Sequence, residues 1–401
     1  MAKQENTQLL YNAVALCAVG TEKAVSNELK KLALSVIESA YGKVRFRADI
    51  TGLYRSLMGL RAADRVLLEA GRFHAADFDA LFEETEAVPW EKYVPVKAGL
   101  KIVKVRSSGS RLKAETSIQS ITHKAAAQRL CKHAGLSRLP DTEEAAEARV
   151  YVEKDTVSLL LDLSGEPLFK RGYRKDGGVA PLRETTAAAM LLLSGWKRKY
   201  PLYDPFCGSG TILAEALMYA WDMAPGIARA GAALDFAIDR LLVADKKIEE
   251  TVRAEFRGKI NFERLIRLAG SDEDPRCSAL ALSNLNNVHA SAENRGRPPA
   301  GRLPEITTTP MNMARPPFES GEEPRGFIIT NPPYGKRLGN IDASIEIYKE
   351  MPVLAKNFPG WKLAVISDHP GFESYFGRKA DSCREITGGA VPAYFYQYEK
   401  I

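Results

Sequence analysis

No apolar run in this 401-residue sequence approaches the roughly 18 residues that a membrane-spanning helix requires. The opening Met-Ala-Lys-Gln-Glu-Asn-Thr-Gln lacks the pattern of a secretory signal, so a cytoplasmic protein is expected. Cysteine is scarce. Cys17, Cys131, Cys207, Cys277 and Cys383 are scattered, odd in number and never spaced Cys-x-x-Cys, which supports neither a disulfide framework nor a zinc site. Such usage suits a reducing compartment. His74, His123, His133, His289 and His369 stand apart from one another, and the paired acids Asp272 and Asp274 have no matching cluster, so no metal is expected. Internal repeats and long low-complexity tracts are also missing.

What is present is a soluble, globular composition, 45% hydrophobic and 26% charged, in a chain long enough for two or three domains. The net charge of +6 is unevenly spread. Residues 1–180 hold 28 Lys+Arg against 23 Asp+Glu, and residues 181–401 hold 28 against 27, so the surplus lies in the N-terminal part. A polyanionic partner would be met there.

Strand and helix patterns alternate through the N-terminal part: a strand at 11–19, a helix to about Leu34, a hairpin near 35–48, a helix near 50–59, a strand at 65–73 and a helix at 78–86. This rhythm predicts small α+β modules of ferredoxin-like type. Residues 97–113 then hold Lys97, Lys101, Lys104, Arg106, Arg111 and Lys113 with no acid, and Leu100–Val105 alternates as a strand with one basic face. A helix from Thr116 to about His133 carries Lys124 on its polar face, and a hairpin at 150–163 closes the region. The basic face suits phosphate contacts, and a merely solvated face would look the same. Residues 164–180, rich in Gly and charge, read as a linker, whose Lys170, Arg171 and Arg174 are candidates to touch a polyanion or simply to keep the linker solvated.

The C-terminal part carries three motifs, each after a strand. Asp204-Pro-Phe206-Cys-Gly208-Ser209-Gly210-Thr211 joins a strand to a helix through a glycine-rich turn, the form that lets a backbone approach a nucleotide-like ligand. A segment at about 221–264 reads as a charged, helical insertion. Leu265–Ala269 reads as a second strand, followed by Gly-Ser-Asp272-Glu273-Asp, where an acid suits ribose hydroxyls. A third, irregular strand is expected from Glu305 to Met313, reaching Asn312. Phe327–Thr330 reads as a buried strand that delivers Asn331-Pro332-Pro333-Tyr334-Gly335. The prolines stiffen the backbone and leave its carbonyls to accept, Asn331 adds a carboxamide and Tyr334 a flat ring. That set suits a planar group with an exocyclic –NH2. A strand-ending Asn-Pro turn would look alike.

Together these motifs resemble the class I S-adenosylmethionine-dependent methyltransferases of the Asn-Pro-Pro-Tyr branch. With Pro-Leu-Arg-Glu at 181–184, Ala-Pro-Gly at 224–226, Lys336-Arg337-Leu and Gly-Trp-Lys-Leu at 360–363, the chain is similar to THUMP-containing bacterial large-subunit (23S) rRNA guanine-N2 methyltransferases. The resemblance implies an α/β Rossmann-like C-terminal domain at 181–401, a seven-stranded, mostly parallel sheet with an antiparallel last strand. It would be preceded by a ferredoxin-like α+β module at 1–64 and an intertwined THUMP RNA-binding module at 45–163. It implies S-adenosylmethionine as cofactor, held by Asp204, Phe206, Gly208, Ser209, Gly210, Thr211, Asp272, Glu273, Asn312 and Asn331. Asn312 stands where such enzymes usually carry an Asp. Asn331, Pro332 and Tyr334 would be catalytic. RNA, either rRNA or an assembling ribosomal particle, would be met by Lys101, Lys104, Arg106, Arg111, Lys113, Lys124, Lys170, Arg171, Arg174, Lys336 and Arg337. Adenine N6, in RNA or DNA, is the alternative acceptor. An RNA-binding ribosome-assembly protein with a vestigial cofactor pocket is the alternative of another class.

Overall fold

A computed structural model describes residues 9–174, 182–231, 235–293, 303–318, 326–333, 341–388 and 392–401. The N-terminal part runs β1 (Tyr11–Cys17), α1 (Glu22–Lys31), β2 (Ser35–Ala40), β3 (Lys43–Ala48), α2 (Ile50–Gly59), β4 (Ala63–His74), α3 (Phe78–Ala87), β5 (Leu100–Ser108), α4 (Glu115–Ala134), β6 (Ala146–Glu153) and β7 (Thr156–Asp162). Its strands form one sheet in the order β2-β3-β1-β4-β7-β6-β5, in which only β5 and β6 pair in parallel. The small modules expected from sequence therefore share a continuous sheet, joined where β4 pairs with β7. Alternation decides its two faces. Ala13, Ala15, Val44, Phe46, Val66, Leu68, Leu159 and Leu161 pack with Leu29, Leu53, Leu81 and Ile118 of the helices. The other face buries only a small cluster of Val14, Leu67 and Leu160.

The C-terminal part runs α5 (Glu184–Leu193), β8 (Leu202–Asp204), α6 (Thr211–Ala220), α7 (Pro225–Gly231), α8 (Lys246–Gly258), β9 (Leu268–Asp272), α9 (Pro275–Glu293), β10 (Glu305–Thr308), β11 (Phe327–Thr330), α10 (Ile341–Glu350), α11 (Val353–Asn357), β12 (Lys362–Ser367), α12 (Phe372–Phe376), β13 (Ser382–Ile386) and β14 (Ala393–Tyr398). The sheet order is β10-β9-β8-β11-β12-β14-β13. The first five strands are parallel and β14 is antiparallel to both its neighbours, the Rossmann-like architecture expected from the resemblance. The central strands are buried on both faces, as parallel strands under helices must be.

Two strand boundaries beside the motifs differ from the sequence reading. β9 starts at Leu268, because Leu265 is 74% exposed and lies outside the sheet, yet Asp272 still ends the strand. The third strand stops at Thr308. Pro310 lacks a ladder donor and leads into a 3-10 turn at Met311–Met313 that carries Asn312.

Of the segment expected to be a linker, residues 164–174 are packed and 175–180 lie outside the described residues. Leu168, Arg171 and Tyr173 are each 1% exposed. Arg171 forms a buried ion pair with Glu215 of α6, Nε to Oε1 at 3.1 Å. Arg229 of α7 donates to the carbonyls of Pro167 and Lys170, both at 2.8 Å. The insertion is the docking element between the two parts. Asp245 caps α8 by accepting from Lys247 N and Ile248 N, and Glu249, Val252 and Phe256 form its buried stripe. That helix lies against α2, where Arg55 pairs with Glu255 at 2.8 Å. Arg61 donates to the Met223 carbonyl at 2.6 Å. One apolar core runs across this junction, from Leu57 and Met58 to Ile227 and Phe256. Among the described residues, no helix is long and apolar enough to cross a membrane.

Candidate active site

Parallel neighbours present their C-terminal ends along one edge, so the adjacency of β9, β8 and β11 gathers the three motifs. Asp204 ends β8 and is 1% exposed. Its Oδ1 accepts from Thr330 Oγ1 at 2.6 Å and from Phe206 N at 3.2 Å, which ties the first motif to the last. Burial pushes the Asp204 carboxyl up to about 7, the nearby Asp272 charge adding to the effect and the two hydrogen bonds opposing it.

Asp272 ends β9. Its Oδ2 accepts from Gly208 N and its Oδ1 from Asp274 N, both at 3.0 Å. Each oxygen keeps a further lone pair for a ligand hydroxyl. The turn between β8 and α6 needs its glycines for different reasons. Gly210 has φ +74°, and an added Cβ would sit 3.0 Å from the Ala281 side chain of α9. Gly208 has φ +52° and open space where a Cβ would go, the free approach a ligand requires. Asn284 of α9 donates to Ser209 O at 2.9 Å and holds the turn from behind.

Asn331 follows β11 and is 7% exposed. Its side-chain Oδ1 is buried and has no hydrogen-bond partner among the described residues. Such an acceptor costs about 1–3 kcal/mol while unfilled, so it marks a place where a donor belongs. Pro332 beside it is buried. These features fit the expected cofactor and acceptor: a buried carboxylate with no cation among the described residues, a turn open beside Gly208, an acid at the second strand end and a carboxamide oxygen unfilled among the same residues.

The remaining sites are placed less uniformly. Phe206 packs partly buried against the cluster around Tyr203 and Phe358, and Glu273 is exposed. Asn312 is exposed on its 3-10 turn, where its backbone carbonyl accepts from Asn357 Nδ2 at 3.1 Å. Tyr334, Lys336 and Arg337 lie outside the described residues.

Two of the expected RNA contacts are corrected. Arg171 is a buried partner of Glu215 and meets no solvent. Arg174, with its side chain 13% exposed, donates to Thr211 Oγ1 at 2.6 Å and lies 3.4 Å from Glu184, so it braces the turn before α6. Among the others, Lys101 pairs with Asp141, Arg106 with Glu115, Arg111 with Asp155 and Lys170 with Glu166. Lys113 is exposed, Lys124 lies 5.9 Å from the Phe82 ring centre, and Lys104 lines a cavity on the sheet.

Sequence reasoning missed Thr330 and Asn284, and it gave Arg174 an RNA contact in place of its bond to Thr211. Thr330 stood inside the motif without a role. Asn284 had a legible signal, because it interrupts a face of α9 with Ala281, Leu285 and Val288, where a buried amide needs a partner.

A family model described as RMKL-like methyltransferase domain matches residues 171–393, and one described as RlmL ferredoxin-like domain matches residues 12–67. The chain is 33% identical to the putative RNA methyltransferase YpsC of Bacillus subtilis over 390 residues, 97% of this chain and 96% of that protein. It is 29% identical to the ribosomal RNA large subunit methyltransferase K/L of Aeromonas salmonicida over 398 residues, 96% of this chain and 54% of that protein. The chain thus spans about half the length of that relative. Among solved structures it is similar to SMU.472, a putative methyltransferase complexed with SAH, with TM-score 0.84, 31% identity and 98% of each chain covered.

Proposed function

The chain belongs to the RMKL-like methyltransferase family, and on that premise we propose that it methylates the exocyclic N2 amine of a guanine in RNA, in particular 23S rRNA, giving N2-methylguanosine. The names of its relatives support RNA as the substrate and the large-subunit type as its class. The observation that carries the reading is the buried, unfilled Oδ1 of Asn331, one residue beyond the Thr330 that is bonded to Asp204.

S-adenosylmethionine, when bound, supplies an electrophilic methyl group on its sulfonium. Asp204 accepts from the cofactor's ammonium, and the turn at Gly208, Ser209, Gly210 and Thr211 holds the rest of the methionine portion. Phe206 belongs with that portion, Asp272 would take the ribose hydroxyls with Glu273 as the reserve acid, and Asn312 belongs to the adenine end. The acceptor amine is a weak nucleophile because its lone pair is delocalised into the base. Asn331 Oδ1 and the Pro332 carbonyl accept its two hydrogens, which favours a pyramidal nitrogen and returns the lone pair to it. This is catalysis by positioning and electrostatic complementarity. Tyr334 is assigned by resemblance to stack on a base drawn out of its helix. The N-terminal part holds the RNA.

An Asn331→Ala variant should lose turnover by about 10²–10³-fold while its cofactor affinity stays within several-fold. Undiminished methyl transfer would sink the proposed role. The same two acceptors suit adenine N6, and digestion of methylated rRNA to nucleosides separates the bases: N2-methylguanosine is expected, and N6-methyladenosine would replace the guanine reading. Calorimetric titration with S-adenosylmethionine tests the reading as an assembly protein with a vestigial pocket, which requires that no binding occur.

A further inference from the structure

Strand β11 is held unequally by its two neighbours. It pairs with β12 along its whole length, up to Thr330 opposite Val365. With β8 it pairs only where Phe327 meets Leu202 and Ile328 meets Tyr203. Among the described residues, the ladder between the first and last motifs therefore stops short of the ends that carry Asp204 and Asn331. A side chain closes that seam. Thr330 Oγ1 donates to Asp204 Oδ1 at 2.6 Å, and the two residues are 0% and 1% exposed. Branching at Cβ restricts the Thr330 rotamer, so the strand itself aims the hydroxyl.

The bond sets the state of the carboxylate. Oδ1 accepts from both Thr330 Oγ1 and Phe206 N, which leaves Oδ2 to face a cation. Donors of this kind favour the charged form. Burial opposes them, and so does the Asp272 charge at the end of β9, and the carboxyl settles at about 7. The Cys207 thiol and the Tyr203 phenol beside it are pushed up by burial and stay neutral. Thr330 and Phe206 N are thus what keep Asp204 partly ionised at neutral pH.

The main chain of Thr330 leads to the other half of the site. Asn331 follows directly, with its buried Oδ1 unfilled among the described residues. One residue therefore has its side chain on the donor site and its backbone at the acceptor site.

We propose that Thr330 is a positioning residue for methyl transfer: its hydroxyl holds Asp204 ready for the cofactor ammonium and, through the same bond, holds Asn331 at the setting that receives the acceptor amine. It touches neither the methyl group nor the amine. The inference rests on the roles proposed for Asp204 and Asn331.

The test is Thr330→Val, which keeps the branched shape and removes the donor, with Thr330→Ser restoring the hydroxyl. Calorimetry with S-adenosylmethionine in two buffers of different ionisation enthalpy counts protons. At pH 7 the unaltered protein should release about half a proton per cofactor, because its carboxyl titrates near that pH. A hydrogen bond to a charged group is worth about tenfold or more in that equilibrium, so Thr330→Val should release about one and bind about fivefold more weakly. Methylation of unmodified 23S rRNA at saturating cofactor should still be about tenfold or more slower, since filling the cofactor site does not reset a displaced Asn331. Thr330→Ser should recover both. Thermal melting verifies folding, and Thr330→Ala takes the place of the valine variant if that one does not fold. A proton count equal to that of the unaltered protein overturns the hold on Asp204, whatever the change in melting temperature. Full turnover at saturating cofactor overturns the hold on Asn331. Cofactor binding by the unaltered protein with no proton released overturns the role of Asp204 and this inference with it, whereas release that the substitution leaves unchanged rejects Thr330 alone.

Discussion

Cofactor binding should depend on pH through Asp204. Its carboxyl, ordinarily near 3.8, is pushed up to about 7 in the protein without a ligand, so it is largely protonated at pH 5.5 to 6. An ammonium partner needs the carboxylate, and binding must therefore expel a proton. With a value near 7, cofactor affinity should be about 15-fold weaker at pH 5.5 than at pH 7. That window lies below the α-amino range of about 7.7–8.0, so the cofactor's own ammonium stays charged throughout. The sign for stability follows from the same shift. The folded state holds the proton more tightly than the unfolded chain, so this group's contribution is fully present below about pH 4 and is lost as pH rises through 7. The loss is on the order of 4 kcal/mol. Cofactor restores it, and the rise in melting temperature on saturation should be larger at pH 7 than at pH 5.5. Isothermal calorimetry in two buffers of different ionisation enthalpy counts the proton: close to one released per cofactor at pH 5.5. Equal affinity at the two pH values with no proton released would refute the reasoning. Asp204→Asn should bind weakly and without this pH dependence.

Gly270→Ala should destabilise the protein by about 1–3 kcal/mol in denaturant unfolding, since its Cβ would lie 2.7 Å from Leu213 Cδ1 and 2.9 Å from the Asp204 carbonyl. An unshifted midpoint would show that β8 and β9 are less tightly apposed than described. Arg171→Met should cost about 3–5 kcal/mol by stranding the buried Glu215, and adding Glu215→Leu should recover most of it. Two equally unstable variants would mean that the ion pair itself, rather than the stranded charge, governs the loss.

The motif strands were legible because their chemistry is local. Asp204, Gly208, Gly210 and Asn331 each sit where a strand ends, and buried parallel strands are short apolar runs bounded by turn residues. Helix α8 was legible only as a helix. Its role was not, because the residues it meets, Arg55 and Gly59, are some two hundred positions away. Arg171 and Arg174 misled for a related reason. In sequence they sit among Lys, Gly and Tyr as a solvated tether would, and what buries them, Glu215 and Thr211, is remote. Lys104 read as one charge on an alternating strand. That Arg65 and Arg149 crowd it follows from a β4-β7-β6-β5 order that spacing does not reveal.

The packed junction changes the arithmetic of target choice. Two grips joined by a loose chain would meet their ligands at an effective concentration set by chain length, and many spacings would serve. Here Arg171, Arg229 and the α2–α8 packing fix the two sheets at one separation. On the proposed function, an RNA that touches the N-terminal sheet and also reaches Asn331 must span that one separation, so the distance between its bound stretch and its reactive base becomes a condition of reaction.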